Sequence, residues 1–141
     1  MSAIQTNKEI QMVTFLLNGE EYGMDVMRVR EITSMTEITR TANSPHYVKG
    51  VINLRGAIVP IISLRSRLNF PDVIDDGMSC IAVMDFNGEL TGFVIDEISD
   101  VIRVKSSDFQ PPFDTVSQPW IEGILNTEQK LVVFLNLEHL I

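Results

Sequence analysis

Cysteine is almost missing from this chain. Cys80 stands alone among 141 residues, so no disulfide can close within the molecule. It lies in the apolar run Cys80-Ile81-Ala82-Val83-Met84, where a small buried hydrophobe is expected rather than a reactive thiol. Histidine is nearly as scarce. His46 and His139 are far apart and lack ligand spacing, and no set of Cys, His and carboxylate residues follows a zinc pattern. No metal or cofactor is therefore expected. Apolar runs are short as well. None reaches the roughly 18 residues that a membrane span needs, and the polar N-terminus does not read as a secretory leader. Together these absences predict a protein of a reducing compartment, the cytoplasm, with no direct membrane insertion.

Basic charge is the other scarcity. Eleven Lys and Arg stand against nineteen Asp and Glu, a net charge of −8. Such a surface argues against nucleic acid and anionic lipid as partners. The deficit is uneven. Residues 1–70 carry six acidic and eight basic side chains, a balance of +2; residues 71–141 carry thirteen and three, a balance of −10. Either the two halves face different neighbours, or solubility charge is simply scattered unevenly.

What the chain does have is an internal repeat. Asn18-Gly19-Glu20 recurs as Asn87-Gly88-Glu89, and at that offset of 69 Gly23 falls on Gly92, Val29 on Ile98, and Ile32 on Val101. A second block recurs at offset 73, with Tyr47 on Trp120, Gly50 on Gly123, Asn53 on Asn126, Ile58 on Leu131 and Leu64 on Leu137. The chain thus reads as one domain, 1–141, holding two copies of a unit of about 70 residues, approximately 10–75 and 76–141.

Each copy has the pattern of short strands. Residues 10–17 and 80–86 are apolar runs leading into an Asn-Gly turn, and a glycine-bearing strand follows each. Glycine there predicts a sharp bend or a close approach. Residues 51–53 with 57–62, and 124–126 with 131–135, read as hairpins; Pro60 restricts the first to an edge or a bulge. Short helical turns are expected at 45–49, 64–68 and 136–141. Ala57–Ile62 and Leu131–Leu135 do not alternate, which predicts strands covered on both faces. The fold class is all-β: two small barrels fused side by side, with a shared core and a groove along the seam.

Catalytic motifs are absent. No phosphate-cradling glycine loop or nucleophile elbow occurs. Asp75-Asp76-Gly77 lacks the later ligands of a calcium loop and reads as the turn joining the copies. Ser106-Ser107-Asp108 reads as a helix cap. The expectation is a binding module and not an enzyme.

Glu21-Tyr22-Gly23-Met24-Asp25-Val26, followed by Val29-Arg30-Glu31-Ile32, resembles the opening of CheW-type chemotaxis coupling domains. The block from Tyr47 through Asn53-Leu54-Arg55-Gly56 to Ser63-Leu64-Arg65 is similar to that family's most recognisable stretch. The likeness runs on through Gly92-Phe93-Val94-Ile95-Asp96 and Ile121-Glu122-Gly123 to Leu135-Asn136-Leu137, nearly the whole chain. Ser63 departs from the pattern, standing where the family often has an acidic residue.

The resemblance implies two fused five-stranded SH3-like barrels with a short C-terminal helix. It also implies a scaffold linking the cytoplasmic tip of methyl-accepting chemoreceptors to the regulatory domain of the histidine kinase CheA. The chain would then be associated with membrane-bound receptor arrays through protein contacts. On the same resemblance, a receptor tip would contact Val29, Glu31, Arg55, Ile98 and Val101. Ile98 also suits a core position, and Val29 and Val101 suit core or groove equally.

The repeat singles out Arg55. Its counterpart is Glu128, so the turn does not need an arginine to form. We expect Arg55 and Glu31 to form a structural salt bridge holding the first barrel's binding face. Phe113, beside the stiff pair Pro111-Pro112, is the expected kinase-binding anchor. Two other functions remain open at this level: a barrel holding a small molecule or substrate, for which Glu31 and Arg55 are nearly the only polar candidates, and an adaptor for a chemotaxis-like pathway other than motility.

Overall fold

The computed structural model describes residues 8–71, 77–112, 117–127 and 130–141. Eleven strands occur among them: β1 (Glu9–Leu17), β2 (Glu20–Asp25), β3 (Val29–Ser34), β4 (Val48–Leu54), β5 (Ala57–Ser63), β6 (Cys80–Phe86), β7 (Glu89–Ile95), β8 (Glu97–Lys105), β9 (Phe109–Gln110), β10 (Ile121–Asn126) and β11 (Leu131–Leu135). One short helix, α1 (Leu64–Arg67), and 3-10 turns at Val26–Arg28, Ser106–Asp108 and Leu137–Leu140 complete the set. The chain is all-β.

Turn chemistry fixes three hairpins. Asn18-Gly19, Arg55-Gly56 and Asn87-Gly88 each place two residues at positive φ between paired strands. That is the type I′ pattern, whose twist matches the twist of the flanking strands. Ser63, the departure from the family pattern, caps α1: its Oγ accepts the Ser66 N–H at 3.2 Å. Serine and aspartate serve this position about equally, so the helix start survives the exchange.

The strands form two sheets, in the orders β8-β1-β2-β11-β10-β9 and β3-β6-β7-β5-β4. The compact units follow the sheets: Met1–Met27 with Ile98–Ile141, and Arg28–Glu97. This corrects the expectation that each sequence copy, 10–75 or 76–141, would be compact by itself. The copies trade their first hairpins. β1–β2 of the first copy completes the sheet of β8–β11, and β6–β7 of the second completes the sheet of β3–β5.

A parallel pair makes each join. Phe134 lies opposite Gly23 in one unit, and Ile61 opposite Gly92 in the other, which are repeat-equivalent positions. The six-stranded count comes from two-residue β9, whose Gln110 pairs with Ile124. At the matching place in the other unit stands a single bridge, Thr39 to Val51.

Each unit has its own core. Ile10, Met12, Phe109, Leu125, Val132 and Phe134 cluster in one. Ile52, Val59, Ile61, Ile81 and Val83 cluster in the other. Four repeat-equivalent pairs recur between them: Met12 and Ile81, Leu125 and Ile52, Val132 and Val59, Phe134 and Ile61. The repeated glycines open room for these side chains. A Cβ on Gly23 would lie 2.5 Å from Met12 Sδ, and one on Gly92 would lie 2.5 Å from Ile61 Cδ1.

Three local expectations need correction. Pro60 does not lie on an edge strand, for β5 is flanked by β4 and β7, but it sits just before the stretch where β7 pairs. It is tolerated because Val51, opposite it, exchanges both backbone bonds with Thr39, and the pairing of β5 with β7 begins one residue later at Ile61. Ala57–Ile62 and Leu131–Leu135 are not covered on both faces throughout: Ile58 is 65% exposed and Leu131 58%. Both lie at strand ends that extend past the parallel partner. Residues 45–49 form no helix. A turn closed by the Val48 N–H donating to the Pro45 carbonyl at 3.0 Å leads directly into β4.

Candidate functional site

β3 is an edge strand of its sheet, and its burial alternates. Val29, Glu31 and Thr33 are half-buried, whereas Arg30, Ile32 and Ser34 are exposed. A bulge between Val29 and Glu31 offsets the strand against β6, where Val29 faces Met84 and Glu31 faces Val83. Basic side chains anchor the edge. Arg30 Nη1 reaches Asp85 Oδ2 at 3.2 Å, and the Arg28 guanidinium lies 5.9 Å from the centre of the Phe86 ring.

Arg55 and Glu31 are brought together. Arg55 Nη2 contacts Glu31 Oε1, with the two side chains 72% and 26% exposed. The turn that carries Arg55 is tied from below by the Gly56 N–H donating to Asn53 Oδ1 at 2.8 Å. Arg55 adopts φ 50, a left-handed conformation that suits Asn or Gly better than Arg. Its repeat counterpart, Glu128, lies outside the described residues, as does Phe113.

Ile98 and Val101 lie on β8, the edge strand of the other sheet. Ile98 is half-buried. Val101 is 54% exposed, which removes the core alternative for it. Its repeat equivalent Ile32 is 39% exposed. The exposed aliphatics therefore recur at equivalent positions, Ile32 with Val101 and Ile58 with Leu131. Of these four, sequence reasoning named only Val101 as a contact residue. The signal lay in the repeat itself, which aligns both pairs.

A second ion pair escaped the sequence reading. Arg65 donates to Asp96 through two bonds, Nε to Oδ1 at 2.7 Å and Nη2 to Oδ2 at 2.6 Å, while its Nη1 donates to the Pro71 carbonyl at 2.9 Å. The side chains are only 15% and 23% exposed. This forked geometry straps α1 to the end of β7. Both residues close segments already singled out by resemblance, with opposite charges, and that was the available clue.

Burial pushes the Cys80 thiol pKa up, away from a reactive thiolate. Burial, and secondarily Glu20, push up the Tyr22 hydroxyl. His139 Nδ1 is 2.7 Å from the Pro119 carbonyl, and His46 packs edge-on against Tyr47. Among the described residues no three His, Cys, Asp or Glu side chains converge on a possible metal position. Ser106 is buried and structural; its hydroxyl accepts the Lys8 N–H at 2.9 Å, and its own N–H donates to the Lys8 carbonyl.

Comparison with known proteins identifies the family and the fold. The CheW-like domain family model matches residues 11–141. The chain is 33% identical to the chemotaxis protein CheW of Klebsiella aerogenes, over 93% of this chain and 81% of that one. It is 34% identical to CheW of Bacillus subtilis, over 86% and 80%. The crystal structure of the scaffolding protein TtCheW from Thermoanaerobacter tengcongensis superposes with a TM-score of 0.86 at 30% identity, covering 94% of this chain and 92% of that one. With a matched domain spanning nearly its whole length, this chain belongs to the CheW-like domain family.

Proposed function

We propose that the chain is a non-catalytic adaptor in chemotaxis signalling, joining the cytoplasmic tip of methyl-accepting chemoreceptors to the regulatory domain of the histidine kinase CheA. The observation that carries this reading is the match, across nearly the whole chain, to proteins named as chemotaxis CheW and to a structure named as a scaffold. The geometry supports it. Docking needs exposed aliphatic side chains beside charges held in place, and the edges of both sheets supply them.

In this reading Val29, Glu31, Arg55, Ile98 and Val101 form the receptor contact, with the Glu31–Arg55 pair holding its shape. Phe113 anchors the kinase. No helix among the described residues is long and apolar enough to cross a membrane, so residence at receptor arrays rests on these protein contacts. The test is a pull-down with the immobilised chain against purified receptor fragment and kinase, each alone. Capture of both supports the adaptor. Capture of neither removes it.

A further inference from the structure

The unit Arg28–Glu97 carries seven basic side chains. Five are engaged: Arg30, Arg55 and Arg65 meet carboxylates, and Arg28 and Arg67 lie over the rings of Phe86 and Tyr47. The two for which no hydrogen bond, ion pair or ring contact occurs among the described residues, Arg40 and Lys49, line one surface hollow of about 380 Å³ together with Ile38, His46 and Val48. In a chain with eight more acids than bases, these cations stand without a carboxylate among the described residues. Glu37, the acid nearest in sequence, is exposed and pairs with neither.

Their proximity is built into the backbone. Gly50 takes φ +142, and a Cβ there would lie 2.0 Å from the Thr39 carbonyl oxygen and 3.0 Å from Arg40 Cα. Only glycine lets the segment before Arg40 close on β4, where Thr39 and Val51 exchange backbone bonds of 2.9 and 2.8 Å. The loop between the cations is ordered by a 2.6 Å bond between the Thr41 and Ser44 hydroxyls. Both cations are exposed and line the same hollow, so a carboxylate entering it would meet both.

We propose that this hollow docks an acidic segment of a partner protein, with carboxylates between Arg40, Lys49 and His46 and an aliphatic side chain against Ile38 and Val48. A nucleic acid or an anionic membrane is disfavoured by the net charge of −8, which repels an extended polyanion. Two cations framed by two aliphatic walls match a short run that alternates acidic and apolar residues. The inference takes from the adaptor reading only that the ligand belongs to a protein. Its test needs neither chemoreceptor nor kinase, so either idea can fail alone.

The probe is an acetylated peptide alternating glutamate with leucine, titrated into the 15N-labelled protein and followed by amide chemical shifts. The expected result is saturable shifts at Arg40, His46, Val48 and Lys49, weakening roughly tenfold or more as salt rises from about 50 to 300 mM. Arg40→Glu with Lys49→Glu is expected to abolish them. The matched control, Lys8→Glu with Lys105→Glu, changes net charge equally on exposed side chains elsewhere and is expected to keep them. Melting curves and an Arg40→Ala, Lys49→Ala pair check that folding is intact. Equal losses in both charge-reversed variants overturn the site, leaving only net charge. Equal binding of a glutamine-for-glutamate peptide overturns the role of carboxylates. The same shifts from inorganic phosphate at the same concentration reduce the hollow to a simple anion site and overturn the acidic segment.

Discussion

Replacing Arg55 by Asn separates what the turn needs from what the surface needs. Arg55 sits at φ 50, where the other two hairpins hold Asn18 at φ 54 and Asn87 at φ 57. An ordinary side chain in that left-handed region costs about 1–2 kcal/mol, and Asn recovers part of this. On the other side of the ledger is the contact with Glu31. With Arg55 72% and Glu31 26% exposed, the pair behaves as a surface salt bridge, worth about 0–1 kcal/mol. The two effects nearly cancel. Arg55→Asn is expected to leave stability unchanged or raise it by up to about 1 kcal/mol, a rise in Tm of no more than about 2–4 °C for a chain of this size. Binding to a receptor fragment is expected to weaken by about tenfold, or about 1.4 kcal/mol. Circular dichroism melts and isothermal titration calorimetry give the two numbers. Glu31→Arg with Arg55→Glu then asks whether reversing the pair partly restores binding, as direct contact requires. A stability loss above about 2 kcal/mol, beyond any surface pair, would refute the reasoning. So would full receptor binding by Arg55→Asn, or strictly additive losses in the swap.

The other ion pair behaves oppositely. Asp96→Ala strands the mostly buried Arg65 guanidinium and is expected to cost about 3–5 kcal/mol in urea unfolding; a loss under about 1 kcal/mol, the surface-pair range, contradicts the strap. Gly50→Ala drives a Cβ into the Thr39 carbonyl and threatens two backbone bonds, an expected loss of about 3–5 kcal/mol. Gly19→Ala meets open space at φ +81 and is expected to cost only about 1 kcal/mol, so equal losses would deny the close approach. Val29→Met is expected to weaken receptor binding and spare the kinase, with Phe113→Ala doing the reverse. Calorimetry showing both affinities lost in each variant rejects separate surfaces.

Much of the fold was legible because the repeat carries backbone requirements with it. Asn-Gly at 18–19 and 87–88 marked hairpins through positive φ, and Gly23 and Gly92 marked the same close packing twice. The hairpin exchange was not legible. Period-two patterning says which face of a strand is buried, but β1–β2 would satisfy the same pattern in either sheet. Apolar continuity misread Ile58 and Leu131, because exposure there depends on where a partner strand begins and not on residue type. Glu31 and Arg55 were found from opposite charges in two marked blocks. Arg65 and Asp96 carried the same clue, but the depth that makes them the stronger pair is a property of packing. Arg40 and Lys49 carried no signal in the sequence; that both lack a partner among the described residues beside one hollow is a property of the fold.

The adaptor claim is tested most directly by sedimenting receptor-bearing membranes with the kinase, in the presence and absence of this chain. The expected result is that kinase sediments with the membranes when the chain is added, in proportion to the chain until its receptor sites fill. It remains in the supernatant without the chain, or with the Glu31→Arg variant. Kinase that sediments equally with and without the chain, or a chain that binds receptor yet never brings the kinase down, would contradict the account.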